Sequence, residues 1–385
     1  MRHVYLDNNA TTPLDPAAFE AMKPYLLEHF GNASSVHQQG QRAKSAIELA
    51  RQQVANLIGC DASAIVFNSG GTESDNSAVR GVAYARREEG RHIVTSRIEH
   101  PAVLRTCESL ESEGFRVTYL GVNEEGVISV DELENALTDE TTLISIMYAN
   151  NETGAIQPLC DVCRLAKERG ITVHSDAVQA VAKIPVDLEQ LPLDLVSLTG
   201  HKFHGPKGVG ALYVRKGSPF HPMMLGGSHE RNRRGGTENV PGIVGLGAAC
   251  ELAQWGLERF GTETTALRDR LESSLLDRIP GLEVNGPKER RVPHVANLSF
   301  EDVPGEALLI ALDFRGIAVS TGAACTSGSV SPSHVLMAMG LGDKRIGGAI
   351  RFSLSRFTTA EDIDYVLSIL PDAVEKIRQI GPGSH

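Results

Sequence analysis

Lys202 is a candidate for covalent amine chemistry. It follows the apolar residues 195–198, and Gly205 and Pro206 come shortly after it. This pattern predicts a lysine in a tight turn at the end of a strand. A lysine that forms a Schiff base needs such a fixed and partly desolvated position, in which it loses its proton readily. The alternative is a loop lysine at a domain surface, and this fragment alone favours neither.

A carboxylate at position 176 shifts this balance. Asp176 closes another apolar strand pattern, at residues 171–174, and Gln179 follows it. A buried carboxylate is costly unless it faces a cation. The protonated pyridine nitrogen of pyridoxal 5′-phosphate (PLP) is such a cation, and the pairing keeps the ring an electron sink. Lys202 and Asp176 together therefore favour a PLP site, with Gln179 near the phenolate side of the ring.

The segment Asn68-Ser-Gly-Gly-Thr-Glu-Ser74 is a candidate phosphate-binding turn. It follows the apolar residues 65–67 and begins a helical pattern with two adjacent glycines. Backbone N–H groups at a helix N-terminus bind anions, and glycines let the backbone approach a ligand closely. The alternative is an ordinary helix N-terminus that Ser69 or Thr72 caps.

Three further polar residues follow strand patterns. Thr199 and His201 lie beside the candidate lysine and are further candidate donors to a phosphate. His100 is placed to stack on a cofactor ring and to move protons, since the ordinary histidine pKa of ~6.5 lies near neutrality. A lone histidine is more often structural, and only the neighbouring candidates support a role for His100.

Cys325 is the candidate nucleophile. It lies in Ser320-Thr-Gly-Ala-Ala-Cys325-Thr-Ser-Gly-Ser329, a run of small residues without an apolar period. We expect an accessible, mobile loop, in which a thiolate can react and hand on its product. The alternative is a surface cysteine in a linker.

Cys160 and Cys163 have no second pair at zinc spacing, so we interpret them as structural or incidental residues of a helix that begins after Pro158.

Alternating strand and helix patterns position these residues. Strand-like runs occur at residues 65–67, 92–95, 143–147, 171–174, 195–198 and 209–214. Such runs, separated by helical patterns, predict an α/β large domain with a mostly parallel sheet. In sheets of this kind, ligands bind at the C-terminal ends of the strands.

The pattern changes after about residue 255 and predicts a second domain. An amphipathic stretch runs from Trp255 to Ile279, and strand or helix patterns follow at residues 295–300, 306–312, 349–354 and 360–380. We predict a large PLP-binding domain at residues 14–255. Residues 1–13 and 256–385 are predicted to form a smaller α+β domain that carries the Cys325 loop.

The composition limits the class of protein. With 385 residues, 41% hydrophobic residues and a net charge of −11, the chain has ordinary globular values and lacks the basic excess of a nucleic-acid or anionic-membrane binder. We find no leader pattern and no apolar run near the ~20 residues of a membrane span. A cytoplasmic protein is expected. Its six cysteines are spread unevenly and form no disulfide framework.

The assembled motifs resemble those of the cysteine desulfurases of the NifS/IscS type, the group I branch of the class-V aminotransferase family. The resemblance covers nearly the whole chain, from Tyr5-Leu-Asp-Asn-Asn-Ala-Thr-Thr12 to Ile350-Arg-Phe-Ser-Leu-Ser-Arg-Phe357. Its most specific landmarks are Gly71-Thr-Glu-Ser74, Ala149-Asn-Asn-Glu-Thr-Gly154, Ser175-Asp-Ala-Val-Gln-Ala180, Gly200-His-Lys202, Arg234-Gly-Gly-Thr-Glu-Asn239 and Ala324-Cys-Thr-Ser-Gly328.

The resemblance implies a PLP-dependent transferase of fold type I. Such an enzyme acts as a homodimer, converts L-cysteine to L-alanine and leaves a persulfide on Cys325. It implies that Lys202 forms the Schiff base with PLP, that Asp176 pairs with the pyridine nitrogen, that Gln179 contacts the ring oxygen and that His100 stacks on the ring as an acid or base.

The resemblance also implies contacts to the substrate and to the cofactor phosphate. Arg351 corresponds to the clamp on the substrate carboxylate, which a planar guanidinium grips through two hydrogen bonds. Asn150 corresponds to a residue beside cofactor and substrate. The implied phosphate contacts are Gly71, Thr72, Thr199, Gly200 and His201, with Thr237 from the neighbouring subunit.

The sulfur acceptor and two rival functions stay open at this point. The acceptor serves nitrogenase maturation, general iron–sulfur cluster assembly or thiolation, and the chain's end soon after its last helix is expected to favour a NifS-like protein. No permanent metal site is expected, and Cys325 is the candidate for a transient iron–sulfur ligand.

A PLP aminotransferase or selenocysteine lyase would share Lys202 and Asp176 without requiring Cys325. A non-catalytic sulfur carrier or scaffold would use Cys325 without a cofactor.

Overall fold

The computed structural model describes residues 2–321 and 332–380. The predicted nucleophile, Cys325, lies outside the described residues. In chain order, the strands are β1 (Val4–Tyr5), β2 (Ile65–Asn68), β3 (His92–Ser96), β4 (Arg116–Leu120), β5 (Thr141–Ser145), β6 (Thr172–Asp176), β7 (Leu195–Thr199), β8 (Gly210–Val214), β9 (Leu282–Val284), β10 (Val295–Phe300), β11 (Ile317–Ala318) and β12 (Ala349–Ser353). The α-helices are α1 (Pro16–Leu27), α2 (Gln38–Ile58), α3 (Gly71–Ala85), α4 (Pro101–Ser112), α5 (Val130–Ala136), α6 (Leu159–Glu168), α7 (Val240–Arg278), α8 (Gly305–Asp313), α9 (His334–Ala338), α10 (Asp343–Gly347) and α11 (Ala360–Ile380).

The central sheet has seven strands in the order β2-β8-β7-β6-β5-β3-β4. Strands β4, β3, β5, β6 and β7 pair in parallel, whereas β8 runs antiparallel to both β7 and β2. The inner strands are buried along their whole length, which suits their β-branched and leucine side chains. The predicted α/β fold with a mostly parallel sheet is therefore confirmed. Polar residues that follow β3, β6 and β7 meet at one edge of this sheet.

Helix α7 is longer than the sequence pattern predicts. The amphipathic pattern starts at Trp255, but the helix begins at Val240, where the Asn239 side chain accepts a hydrogen bond from the Gly242 N–H at 3.2 Å. Glycines have low helix propensity, which hides this first part of α7 from a sequence pattern. In the structure, a side chain at Gly247 would meet the backbone of Ala50 at 2.7 Å, so the small residues let α7 pack closely on α2.

A second core forms around a smaller sheet. Strands β12, β10 and β9 are antiparallel in that order, and β1 pairs with β11 in parallel beside them. Phe300, Phe352 and Leu6 are buried in this core. From Leu6 the N-terminal segment runs to the central sheet, where the Thr12 N–H donates to the His201 carbonyl at 2.9 Å. The division into domains at residues 14–255 and 256–385 remains a prediction.

The cysteine pair of α6 lies as the pattern predicts, at the start of a helix that follows Pro158. Cys163 is buried against the central core, whereas Cys160 is exposed, and both are free thiols. Within residues 2–321 and 332–380, no helix is both long and apolar enough to cross a bilayer.

Candidate active site

Lys202 lies in a short 3-10 turn, Gly200–Lys202, directly after β7. Its amine donates to the backbone carbonyls of Asn9 at 2.6 Å and Ala10 at 2.9 Å. Burial and the nearby Arg351 guanidinium lower the pKa of the Lys202 amine to about 8, and the carboxylates of Asp176 and Asp7 oppose this shift. The amine is therefore fixed in position and close to losing its proton at neutral pH.

Asp176 is the last residue of β6 and is 6% exposed. Its Oδ1 accepts a hydrogen bond from the Val178 N–H at 2.9 Å. Burial raises the pKa of the carboxyl, while His100, the Val178 N–H and Lys202 oppose this effect. The structure thus brings the predicted carboxylate, histidine and lysine close enough for their charges to interact.

His100 caps the N-terminus of α4. Its Nδ1 accepts a hydrogen bond from the Ala102 N–H at 3.1 Å, so a neutral His100 carries its proton on Nε2. The side chain reaches solvent, yet the protein atoms around it, followed by the positive charge of Lys202, lower its pKa, and Asp176 opposes them. A ring nitrogen of His100 lies within 4.8 Å of a carboxylate oxygen of Asp176 and of a carboxylate oxygen of Asp75. His100 therefore has a capping role and also lies at the candidate site.

The phosphate-binding segment starts α3 without a side-chain cap. The N-cap is Gly70, which has a φ of +151° and makes no capping hydrogen bond through a side chain. Neither Ser69 nor Thr72 therefore caps the helix, as the alternative interpretation would require. The first N–H groups of a helix lack intrahelical partners and remain available to a ligand.

A cavity of about 320 Å³ opens in front of these N–H groups. Four of the six predicted phosphate-binding residues line it. Its lining residues are Thr11, Ser69, Gly70, Gly71, Thr72, Glu73, Thr199, His201, Lys207 and Gly208. Gly200 is buried behind Thr199 and donates its N–H to the Val209 carbonyl at 3.2 Å.

Two of the lining side chains are held by other parts of the chain. The Thr199 hydroxyl donates to the Val209 carbonyl at 3.0 Å, and His201 Nδ1 lies 3.2 Å from the Thr11 hydroxyl. Burial, followed by the charges of Lys202 and Lys207, lowers the pKa of His201 to about 4. His201 is therefore neutral at physiological pH and faces the cavity as a dipole.

Thr237 lies in a second cavity of about 120 Å³ next to the first. Ser69 and Gly208 line both cavities. The predicted origin of this phosphate contact in a neighbouring subunit is not tested by a single chain and remains a prediction.

Gln179 and Asn150 are both buried, but only the Asn150 amide has hydrogen-bond partners for both its oxygen and its nitrogen. Gln179 Nε2 donates to the Asn9 carbonyl at 3.1 Å, while its Oε1 has no hydrogen-bond partner within the described ranges. The Asn150 Oδ1 accepts from the N–H groups of Glu152 and Thr153, and its Nδ2 donates to the Ile98 carbonyl at 3.2 Å. Asn150 thus holds the turn beside the site together, and its amide is occupied by protein partners.

Arg351 lies in β12 and points its guanidinium at the N-terminal segment. One nitrogen donates to Asp7 Oδ1 at 2.8 Å and another to the Asn151 carbonyl at 3.1 Å. The Nε atom is buried and has no partner among the described residues. These two hydrogen bonds fix the side chain, and its Nε–H is left with unused hydrogen-bonding capacity.

The comparisons with known proteins identify the family. The aminotransferase class-V family model matches residues 4–366. A cysteine desulfurase from Nostoc sp. is 52% identical over 382 residues, which cover 99% of this chain and 95% of that protein. The chain belongs to the cysteine desulfurases. The resemblance inferred from its motifs is confirmed, and the chain is an enzyme of the aminotransferase class-V family.

Solved structures of similar proteins agree with this family assignment. A structure described as a NifS-like protein has a TM-score of 0.92 at 41% identity, and the match covers 97% of this chain and 100% of that chain. A structure described as SspA in complex with cysteine has a TM-score of 0.82 at 38% identity, covering 92% of this chain and 100% of that chain.

The aminotransferase class-V family implies PLP as the cofactor, and the described residues fit it. A phosphate needs N–H donors at a glycine-lined turn, which the start of α3 supplies. A side chain at Gly71 would lie 3.0 Å from Val178, so the bare backbone keeps this turn open. The Oε1 of the buried Gln179 has no partner among the described residues, so its amide has hydrogen-bonding capacity left.

Residues on both sides of the undescribed segment 322–331 bond to the site. Ser320 exchanges backbone hydrogen bonds with Arg351 at 2.6 and 3.2 Å. The Ser333 hydroxyl donates to Glu152 Oε2 at 2.6 Å, and His334 Nε2 lies 3.0 Å from the Glu99 carbonyl. Ser320 is therefore fixed beside Arg351, and Ser333 is fixed beside Glu152.

Several site residues have no counterpart in the predictions from sequence. Asn9 contacts Lys202 and Gln179, and Thr11 contacts His201. Glu73 accepts from the Ser69 N–H and from Arg234, both at 2.9 Å, and so ties α3 to a distant loop. The polar run after Tyr5 was an available signal for the N-terminal residues. For the pairing of Glu73 with Arg234, the sequence offers no local signal.

Proposed function

We propose that this enzyme removes sulfur from L-cysteine, releases L-alanine and leaves a persulfide on Cys325. The main support is the meeting of the Lys202 amine, the Asp176 carboxylate and the N-terminus of α3 at one edge of the sheet of a cysteine desulfurase. The likeness to a structure described as a complex with cysteine supports cysteine as the substrate.

The cofactor would be held by residues that the structure brings together. Bound PLP supplies an electron sink that stabilises the carbanion formed at the substrate α-carbon. Asp176 keeps the ring nitrogen protonated, Gln179 contacts the ring oxygen, and His100 stacks on the ring. The phosphate contacts are Gly71, Thr72, Thr199, Gly200 and His201, with Thr237 of the partner subunit.

Lys202 and Arg351 would act on the amino acid. Arg351 binds the substrate carboxylate through its guanidinium, and Asn150 holds the adjacent turn. Lys202 removes the α-proton, because an amine with a pKa of about 8 has a far larger neutral fraction at physiological pH than an ordinary lysine has. Fixed donors of this kind reduce the entropic cost of orienting the substrate.

The sulfur transfer would then occur at Cys325. Its thiolate attacks the substrate sulfur, an S–S bond forms, and the substrate C–S bond breaks. The electron pair of the broken bond stays on the substrate β-carbon, which takes a proton and becomes the methyl group of alanine, and Lys202 returns a proton to the α-carbon. His100 would exchange protons through Nε2, the ring nitrogen that the Ala102 N–H leaves free.

The test of the nucleophile is Cys325→Ala, with Cys160→Ala as the control because Cys160 is an exposed free thiol of α6. We expect Cys325→Ala to lose at least ~100-fold in alanine release without added thiol, since it lacks the nucleophile. Cys160→Ala should keep wild-type activity. Alanine release by Cys325→Ala at the wild-type rate would show that Cys325 does not have this role.

The lysine is tested by Lys202→Ala, which should lose the visible absorption of bound cofactor. Product analysis with cysteine or selenocysteine and an added keto acid separates desulfuration from transamination and from selenocysteine lysis. A colourless wild-type protein that binds no PLP would instead favour a non-catalytic sulfur carrier.

The persulfide would pass to an acceptor in cytoplasmic iron–sulfur cluster assembly, with nitrogenase maturation as the specific candidate. Cys325 would then be the transient iron–sulfur ligand. Persulfide mass spectrometry of Cys325, combined with isolation of the acceptor that takes up labelled sulfur, tests this step. Transfer only to a thiolation acceptor would contradict it.

A further inference from the structure

A second aspartate is buried behind Asp176. Asp75, in α3, is 1% exposed, and one of its carboxylate oxygens lies within 4.8 Å of an oxygen of Asp176. The proposed mechanism uses Asp176 alone. The role of Asp75 therefore needs a separate explanation, because a buried carboxyl group is costly to retain without a partner.

Two carboxylates this close in a buried site do not both ionise readily at neutral pH, so one of them keeps a proton. Asp176 accepts the Val178 N–H and lies near the positive charge of Lys202. Asp75 has less support for a charge, since its Oδ1 has no hydrogen-bond partner in the described part of the chain and only the Ser197 hydroxyl favours its charged form. The negative charge therefore belongs on Asp176 and the proton on Asp75.

The histidine next to Asp75 does not supply a balancing charge. His174 Nε2 lies 3.7 Å from Asp75 Oδ1, but the ring is fixed between the hydroxyls of Ser145 and Ser197 at 2.9 and 3.0 Å. Complete burial lowers the pKa of His174 to about 3, so the ring is neutral. Burial and the Asp176 charge raise the pKa of Asp75, and the Ser197 hydroxyl only partly opposes them.

Glu99 adds a third carboxyl group of the same kind. Its Oε1 accepts from the Ser96 hydroxyl at 2.6 Å and from the Met147 N–H at 3.0 Å, while Oε2 is buried without a partner among residues 2–321 and 332–380. Burial raises the pKa of Glu99 to about 8. The titratable groups around Asp75 are thus His174 and Asp176 on β6 and Glu99 and His100 before α4.

We propose that Asp75 is a positioning residue: a neutral carboxylic acid that keeps the negative charge of the pair on Asp176, where the cofactor ring nitrogen binds. This inference rests on the proposed role of Asp176. A charged Asp75 would compete with Asp176 for the single positive charge of the ring. A neutral Asp75 leaves the Asp176 charge undivided and can donate a hydrogen bond towards it.

The test measures the dissociation constant of PLP from the cofactor-free protein between pH 6 and 9, by visible absorption at equilibrium. Asp75→Asn is neutral and can donate a hydrogen bond, so it should bind PLP within about threefold of wild type near pH 7. Asp75→Ala lacks the donor and should bind about tenfold more weakly. Wild type should lose affinity at the alkaline end relative to Asp75→Asn, because only wild type can ionise at this position.

Equal weakening by Asp75→Asn and Asp75→Ala would overturn the proposal, since it would mean that the charged form is required. Superimposable pH profiles of wild type and Asp75→Asn would also overturn it, and this comparison decides the matter if Asp75→Ala does not fold. Ser77→Ala, a buried polar position on the same helix, is the matched control and should bind PLP as wild type does.

A further variant, Asp176→Ala, separates this inference from the proposed function. If Asp176→Ala weakens PLP binding and shifts the absorption of bound PLP while the Asp75 variants change nothing, only the role of Asp75 is wrong. If Asp176→Ala leaves both quantities unchanged, the proposed pairing with the ring nitrogen is itself wrong.

Discussion

The Lys202 amine shows how far local sequence can predict a site. Its position at the end of a strand follows from the apolar residues before it and the glycine turn after it. Its two carbonyl partners, on Asn9 and Ala10, do not, because 193 residues separate Asn9 from Lys202 and only the folded chain brings them together. The same holds for Asp75, whose role depends on its distance from Asp176.

The reactivity of Lys202 should depend on pH in the cofactor-free protein. Burial and Arg351 lower its pKa to about 8, against ~10.4 for an ordinary lysine. Acylation requires the neutral amine, so labelling of Lys202 should rise as the pH increases through 8 rather than above 10. Competitive acetylation followed by peptide mass spectrometry measures this midpoint, with the exposed Lys344 as the internal control.

Arg351→Gln provides the matched variant for this measurement. It removes a cation that lowers the pKa of Lys202, so the labelling midpoint should move upwards. A wild-type midpoint near 10 would contradict the prediction, as would a midpoint that Arg351→Gln leaves unchanged.

At the level of secondary structure, strand ends place the candidate residues together. The six strand patterns and the closing helix at residues 360–380 are predicted, and the last of these agrees with α11 at both ends. Strand β4, Arg116–Leu120 at the sheet edge, is missed although its valine, threonine and tyrosine favour a strand. The first part of α7 is missed because its stability comes from close packing of glycines, which a hydrophobic period does not detect.

The close approach of β8 to the start of α3 should control cofactor binding. A side chain at Gly210 would lie 2.7 Å from Gly70 Cα and 2.7 Å from the Leu198 carbonyl. Gly210→Ala should therefore displace the turn at Gly70, whose φ of +151° suits glycine. We expect at least ~tenfold weaker PLP binding, measured by absorption at equilibrium, and a lower free energy of unfolding, of the order of 1–3 kcal/mol.

Gly256→Ala is the control for this substitution. Gly256 lies within α7, and a side chain there would meet no heavy atom within 4 Å. Alanine at a helical position should stabilise the protein by about 0.5–1 kcal/mol and leave PLP binding unchanged. If Gly210→Ala binds PLP as tightly as Gly256→Ala does, the approach of β8 to α3 does not control PLP binding.

At the scale of the whole molecule, a single chain leaves a conspicuous set of apolar side chains uncovered. Phe30 and Val36, between α1 and α2, are 81% and 92% exposed, and Leu225 is 78% exposed. Large exposed apolar groups that lie near one another mark interaction surfaces, and Val36 lines one surface cavity together with Leu49, which is 62% exposed. Leu225 lies close to Gly235, in the loop that carries Thr237. The proposed homodimer would cover such groups and bring Thr237 of the partner subunit to the phosphate.

A charged side chain at Phe30 or Val36 should therefore weaken the dimer. Because Thr237 of the partner subunit would then be lost from the phosphate, cofactor binding should weaken as well. Phe30→Glu and Val36→Glu each place a carboxylate where a partner would bury an apolar group, which is unfavourable without a cation. Sedimentation velocity should give twice the mass of one chain for wild type and a larger fraction of single chains for either variant. Ile310→Glu is the control. Ile310 is 54% exposed on α8, which packs against the smaller sheet, and this variant should remain dimeric. A wild-type protein that sediments as single chains while retaining PLP would contradict the dimer and the contribution of Thr237 at once, because the cradle at α3 would then hold the phosphate unaided.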